Sequence, residues 1–390
     1  MDKPTVWQLL FVDDDADFCR QIKEFLEGES LAGSDESVHV ETLTDFADAL
    51  EMLQSHQVDL LILDVRLGPH DENKKEEEVG VHTLRTVQQR RFVPVVFYTG
   101  LPHLVRHLES PLIRVVRKTE REYLLETIQG IFATRLPAVN RALIKHFELV
   151  QRDYMWDFVA KHWEQFGTTS DRTSLAYFLA RRLAMSLSGP GIQQLFQDLG
   201  DSSGTAMVKD QVHPMEYYVM PPLEETSPLT GDIYFGEIGE HHGYWVLLTP
   251  SCDLVAGREK ADWTLLAYCV RLIEQSEYTE WMSNLPNTSG KPYKYLRDLL
   301  LNNRRDSQSD RFFFLPGALT LPDLIVDFQQ VVALQREKLV ALNRLASLDN
   351  PFSESLLARF TRYFGRIGIP DLAVDLIFSR LRSASSEVGS

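Results

Sequence analysis

Cysteine is scarce. Three are spread over 390 residues, at Cys19, Cys252 and Cys269, with no C-x-x-C pair. That count excludes a disulfide framework and fits a reducing, cytoplasmic setting. Long apolar runs are also missing: none reaches the roughly eighteen residues of a membrane span, and Met1-Asp2-Lys3-Pro4 opens without a signal peptide. Positive charge is in short supply, with 40 Lys and Arg against 56 Asp and Glu and a net charge of −16. General attraction to nucleic acid or to an anionic membrane is therefore disfavoured. There is no basic helix-turn-helix, no Gly-rich phosphate loop, no histidine-kinase box and no GGDEF- or EAL-like string. What remains, 44% hydrophobic and 25% charged, is the composition of a soluble globular chain of two or three domains.

The chemistry-bearing residues stand at the ends of short apolar runs. Leu60-Leu61-Ile62-Leu63 ends in Asp64, and Leu9-Leu10-Phe11-Val12 ends in Asp13-Asp14-Asp15. Continuous apolar runs of this length predict fully buried parallel strands, which deliver those carboxylates to the carboxyl edge of one sheet, where open α/β sheets bind and react. Like charges brought that close need a cation to stay ionised together, and Mg²⁺ is the hard, oxygen-seeking ion that fits. Two further runs, 93–98 and 113–117, end in Thr99 and Lys118. The set is coherent for phosphoryl transfer to a carboxylate: Asp64 as nucleophile, Mg²⁺ on Asp13 or Asp14 and Asp64, and Thr99 and Lys118 bonding the phosphoryl oxygens.

In order, residue type and spacing these five positions resemble the receiver (CheY-like) domain of two-component response regulators, over roughly residues 5–135. The resemblance implies a doubly wound, five-stranded parallel α/β sheet, phosphorylation of Asp64 and a sensor histidine kinase or phosphotransfer protein as partner. Three departures stand out. The stretch 70–78 is inserted between Asp64 and Gly80, which matches the family's loop glycine, and is expected to be a mobile surface loop. Thr119 replaces the proline that usually follows the lysine. Val115 occupies the position of the family's switch aromatic, so coupling of a hydroxyl shift to a turning ring cannot operate there.

Helical spacing in the first domain (Phe18, Ile22, Phe25 and Leu26; Phe46, Leu50 and Leu53) completes a repeating βα pattern, with a last helix from Arg121 to about Thr134. A long amphipathic helix is expected over 138–167, with Val139, Leu143, Phe147, Val150, Tyr154 and Phe158 at three- and four-residue spacing. It can transmit a rotation, form the seam of a homodimer or simply pack on the next domain. Helix continues over 170–187 and 192–199, completing a linker region 138–204.

From about residue 205 the texture becomes β. Strands are expected at 217–220, 232–238, 244–250, 263–271, 311–315 and 324–334, then helices at 336–348, 353–367 and 370–382 and a disordered tail at 383–390. Short strands between Gly, Pro and Asn turns suggest an α+β domain with a small barrel over 205–335, followed by C-terminal helices and tail over 336–390. The strings Gly231-Asp232-Ile233, 245–250 and 324–331 resemble the SH3-like barrel of MazF/PemK toxins. Where those ribonucleases place an arginine this chain has Gly243-Tyr244, so RNA cleavage is not expected there.

Cys252, Asp253 and Lys260 form a candidate second site: a thiol, a carboxylate and an amine at a strand end, which could be a nucleophile with charged neighbours or an ordinary turn. His241 and His242 with Cys252 or Cys269 are weighed as zinc ligands and set aside, because adjacent histidines in a Gly-flanked hairpin usually face solvent. The expected function is a response regulator whose non-DNA-binding output module acts through a protein partner. The alternative is a phosphorylation-controlled enzyme or toxin-like effector built on Cys252.

Overall fold

The computed structural model describes residues 5–29, 36–65, 76–165, 169–187, 212–223, 226–284, 288–305, 307–367 and 372–387. The chain divides into two compact units, Met1–Gly204 and Thr205–Ser390.

In the first unit five strands lie parallel in the order β2-β1-β3-β4-β5: β1 (Thr5–Val12), β2 (Glu36–Leu43), β3 (Leu60–Leu63), β4 (Val95–Thr99) and β5 (Ile113–Arg117). Alternation along β1 sends Trp7, Leu9 and Phe11 into one core and Leu10 and Val12 into the other, so both faces of the sheet are covered. The helices are α1 (Ala16–Glu27), α2 (Phe46–Ser55), α3 (Glu76–Gln88) and α4 (Arg121–Ala133). Asp15 and Asp45 cap the first two by accepting main-chain N–H bonds. Ile22 and Leu26 of α1 and Phe46 and Leu53 of α2 are buried, as their spacing predicts.

Two details differ from expectation. The crossover from β4 to β5 carries no α-helix, only the 3₁₀ turns Pro102–Leu104 and Arg106–Leu108, because a short connection bounded by Pro102 and Pro111 leaves little chain for one. Glu76, Glu77, Glu78 and Gly80 belong to α3 rather than to a loop. The remainder of the 70–78 insertion lies outside the described residues.

Arg135, left-handed at φ 61°, turns the chain from α4 into α5 (Leu136–Asp153). The helical path continues as a π-turn, Tyr154–Val159, and a 3₁₀ stretch, Ala160–Gln165. Helix α6 (Thr169–Ser186) packs back on α5, with His146 Nε2 and Ser186 Oγ 3.0 Å apart. Arg141 anchors α5 to the sheet: its guanidinium forks onto the buried Asp59 carboxylate, donates to the Val6 carbonyl at 3.0 Å and lies 4.2 Å from the Trp7 ring. The expected 192–199 helix lies outside the described residues.

The second unit is a seven-stranded antiparallel sheet, ordered β10-β11-β9-β8-β7-β12-β6. Its strands are β6 (Tyr218–Val219), β7 (Asp232–Ile238), β8 (His241–Leu247), β9 (Trp263–Arg271), β10 (Phe312–Leu315), β11 (Leu324–Gln335) and β12 (Asn343–Leu348). The sheet curls, and Tyr218 Oη on its last strand donates to the Pro316 carbonyl just past its first, at 2.7 Å. No ladder joins β6 to β10 among the described residues, and Tyr218 supplies a side-chain bridge between those two ends of the antiparallel sheet.

The main correction is at 336–348, expected as helix. Arg336–Ala341 is a 3₁₀ turn and Asn343–Leu348 is strand β12, paired to β7 and β6. Residues 336–341 have good helix formers, but burial of Leu339, Leu342, Ala346 and Leu348 and the open edge of β7 outweigh propensity. The sheet therefore extends to 348, beyond the expected limit at 335. Among the described residues the unit also has the helices α7 (Ser276–Ser283) and α8 (Gly290–Leu300), which the sequence reading passed over, α9 (Phe352–Phe364) and α10 (Val374–Glu387). The last takes up most of the tail expected to be disordered.

β12 also brings a charge inward. Arg344 Nη2 donates to Oδ1 of the fully buried Asp232 carboxylate at 3.0 Å, and its Nε makes an ionic contact with Oδ2 at 2.8 Å; the same carboxylate accepts from Ser347 Oγ at 2.6 Å and from the Leu229 N–H at 2.8 Å. Removing one partner of such a pair leaves an uncompensated buried charge. Arg344→Met should lower the stability of this unit by about 3–5 kcal/mol in urea denaturation followed by circular dichroism; a loss below about 1 kcal/mol would show that the pair is not what pins β12.

Candidate functional site

Parallel register decides which residues meet. Val12 pairs with Leu63 and Thr99 with Arg117, so Asp13 and Asp64 leave the sheet side by side and Lys118 emerges next to Thr99. All four come from strand ends whose apolar runs fix their depth: Asp13, Asp64 and Thr99 are buried, while Asp14 is exposed.

Asp64 Oδ1 accepts from Thr99 Oγ1 at 2.6 Å, and Asp64 Oδ2 lies 2.8 Å from Lys118 Nζ. The same ammonium sits 2.5 Å from Asp13 Oδ2. Burial pushes the Asp13 carboxyl up from its ordinary value, and the contact with Lys118 pulls it only part of the way back. Burial pulls the Lys118 ammonium down, but its bonds to Asp13 and Asp64 outweigh that and leave it above the ordinary value. Lys118 is the cation that lets two buried carboxylates share this edge.

Asp13, Asp14 and Asp64 each offer a carboxylate oxygen, all within 4.8 Å of one another. Asp13 Oδ2 is fully buried and makes no hydrogen bond, only the ionic contact with Lys118. A hard, all-oxygen set with one such atom fits Mg²⁺, whose coordination shell is completed by water and phosphate oxygens.

Sequence reasoning missed a pair of rings. Tyr98 is fully buried, and its hydroxyl donates to the main-chain carbonyl of Lys118 at 2.9 Å. Its ring stacks on Phe18 at 5.9 Å, and Phe18 in turn lies 5.3 Å from Lys118 Nζ. Tyr98 is legible as the residue before Thr99, but its partner is not. Val115 is buried in the other core, beside Phe97.

The second candidate site is less assembled. Cys252 and Lys260 are exposed, and the Lys260 N–H donates to the Asp253 carbonyl at 3.0 Å, so the three residues share one turn. A nucleophilic thiol needs a cation or base beside it; the polar group that Cys252 Sγ meets is the Asp253 carboxylate, at 3.6 Å. His242 packs on Phe235 and His241 on Tyr268, while Cys269 is buried. The zinc alternative is not gathered into one site: among the described residues the one group placed to hold a metal is the aspartate trio.

Residues 9–129 match the model of the response regulator receiver domain. No curated protein matches the chain. Among solved structures, the signal receiver domain of an HD domain-containing protein from Pseudomonas fluorescens Pf-5 is 22% identical, covering 33% of this chain and 95% of that one, with a TM-score of 0.27. The chemotaxis response regulator CheY4 of Vibrio cholerae is 23% identical over 33% of this chain and 99% of that one, TM-score 0.25. Full-length FixJ from B. japonicum is 17% identical over 50% of this chain and 98% of that one, TM-score 0.27.

If Lys118 is the resident cation of the edge, Lys118→Met should cost about 3 kcal/mol in excess chelator, the order expected for stranding a buried carboxylate. Saturating Mg²⁺ should recover most of that loss, because in the variant the ion no longer competes with Lys118 for the carboxylates; a hundredfold tighter Kd than the parent's corresponds to about 2.7 kcal/mol of extra stabilisation. Thermal unfolding with and without Mg²⁺ checks this; an identical Mg²⁺ response in variant and parent would refute it.

Proposed function

Because residues 9–129 are a response regulator receiver domain, we propose that the chain is a two-component response regulator that takes a phosphoryl group on Asp64 from a histidine kinase or phosphotransfer protein. An Asp64 carboxylate oxygen forms the new P–O bond as the donor's P–N bond to histidine breaks and the departing imidazole takes up a proton. The observation that carries this reading is the contact of Asp64 with both Thr99 Oγ1 and Lys118 Nζ, one donor for each side of the developing charge. Mg²⁺ held by Asp13, Asp14 and Asp64 would neutralise phosphoryl oxygens. Lys118 turns from bridging two carboxylates to bonding the transferred group, and Thr99 donates to it. Phosphorylation by acetyl phosphate should be abolished in Asp64→Asn and in excess chelator, read by phosphate-affinity electrophoresis; persistence in either would sink the assignment.

We further propose that output passes through protein contacts of the non-DNA-binding second unit, in a cytoplasmic setting, with α5 and the helical path after it as the transmitting element. Leu149, Trp156 and Trp163 are exposed along that path at seven-residue spacing, Trp156 by 71%. Apolar residues at that period favour a helix seam, and the occupant that best suits it is a second copy of the chain. Trp156→Glu should then lower the molar mass in light scattering from dimer to monomer and leave Asp64 phosphorylation intact. A monomeric parent at tens of micromolar would remove the dimer and leave a partner of other sequence.

A further inference from the structure

Resting on the Asp64 reading above, we infer that Phe18 and Tyr98 are positioning residues for Lys118, fixing its ammonium between Asp13 and Asp64. The two rings touch the lysine at both of its ends. At the main chain, Tyr98 Oη donates to the Lys118 carbonyl at 2.9 Å while the Lys118 N–H donates to the Thr99 carbonyl at 3.2 Å. At the tip, the Phe18 ring lies 5.3 Å from Nζ. The two rings are stacked at 5.9 Å with planes 16° apart, and Phe11 backs both, at 6.0 Å from Phe18 and 6.3 Å from Tyr98.

Each contact meets a need that the chain leaves open. A lysine side chain has four rotatable bonds, so an ammonium held only by two acids gives up that freedom for few contacts. The Lys118 side chain is 26% exposed, with carboxylates on its inner side; the face of Phe18 adds the partial negative charge of an aromatic ring. The main chain needs restraint too. Thr119 follows the lysine where a proline would have fixed φ, and the Tyr98 hydroxyl ties the carbonyl between the two residues. Tyr98 is fully buried, so its hydroxyl must find a partner inside, and losing that bond strands a donor or an acceptor.

A purely structural role predicts lower stability and nothing specific to Lys118. The full chain, in Mg²⁺ with acetyl phosphate as donor, separates the two accounts. Phe18→Leu and Tyr98→Phe should each slow phosphoryl acceptance about fivefold, within the range of one partly buried cation–π or hydrogen-bonded contact. Phe18→Tyr, which keeps the ring, should restore the rate. In a Lys118→Ala background neither substitution should slow the reaction further, because both act through that side chain. A second measurement needs no phosphorylation: in ¹H–¹⁵N spectra of lysine-labelled protein at low temperature, the slowly exchanging Lys118 ammonium signal should be present in the parent and lost in Phe18→Leu. Equal slowing with and without Lys118, or an unchanged ammonium signal in Phe18→Leu, overturns the inference. A parent that takes no phosphoryl group refutes the Asp64 reading instead, and the ammonium signal still decides the positioning role.

Discussion

Two buried carboxylates beside one another at the edge of a sheet repel unless a cation stands between them, and Lys118 is that cation here. It lies within 2.8 Å of both Asp13 and Asp64. The first unit is arranged around this constraint. β1 and β3 must end in register to set the acids side by side, β5 must end where its lysine reaches back across β4, and Thr99 must close the remaining side of Asp64. The two cores flanking the sheet keep water away, which strengthens these contacts and makes loss of any one expensive.

At the opposite edge the same logic is applied to holding a helix. Asp59, just before β3, is buried, and its partner is Arg141 from α5. The bidentate guanidinium, its bond to the Val6 carbonyl and its stacking on Trp7 tie the start of α5 to the sheet. Trp7 and Phe11 lie on one face of β1, and Phe11 backs the rings that flank Lys118. One packed face therefore runs from the acidic edge to the root of α5. Under the proposed function, a packed face of this kind would give an outgoing signal a physical route that does not use Val115.

In the second unit polar groups are buried in two places where strand geometry departs from regular pairing. The register of β11 against β9 slips between Val326 and Val331, and the slip carries Asp327 onto Arg311 at 2.8 and 2.6 Å. Burial would push that carboxyl up, but Arg311, joined by the Gln329 N–H and the Gln330 side chain, outweighs it and holds it below the ordinary value. β12, the other departure, brings Arg344 to Asp232. Both ion pairs tie neighbouring strands of the sheet at these irregular positions.

The receiver sheet and its acidic edge were legible in the chain because continuous apolar runs of four to six residues specify buried parallel strands, and the residue after each run stands at the strand end. Asp13, Asp64 and Thr99 follow from that pattern, as do the buried faces of α1 and α2; Lys118 ends a β-run interrupted by Arg114 and Arg117, and its place in the ordered set of strand-end residues marks it. Strand β12 was not legible: residues 336–348 carry good helix formers, and the open edge of β7 that they complete lies about a hundred residues earlier. The clamp of Arg141 on Asp59 and the reach of Tyr98 to the Lys118 carbonyl were hidden for the same reason. Periodicity records which side of an element is apolar, a local property. Which distant group a buried charge or hydroxyl will meet depends on strand order and helix docking, and those are decided only when the whole core packs.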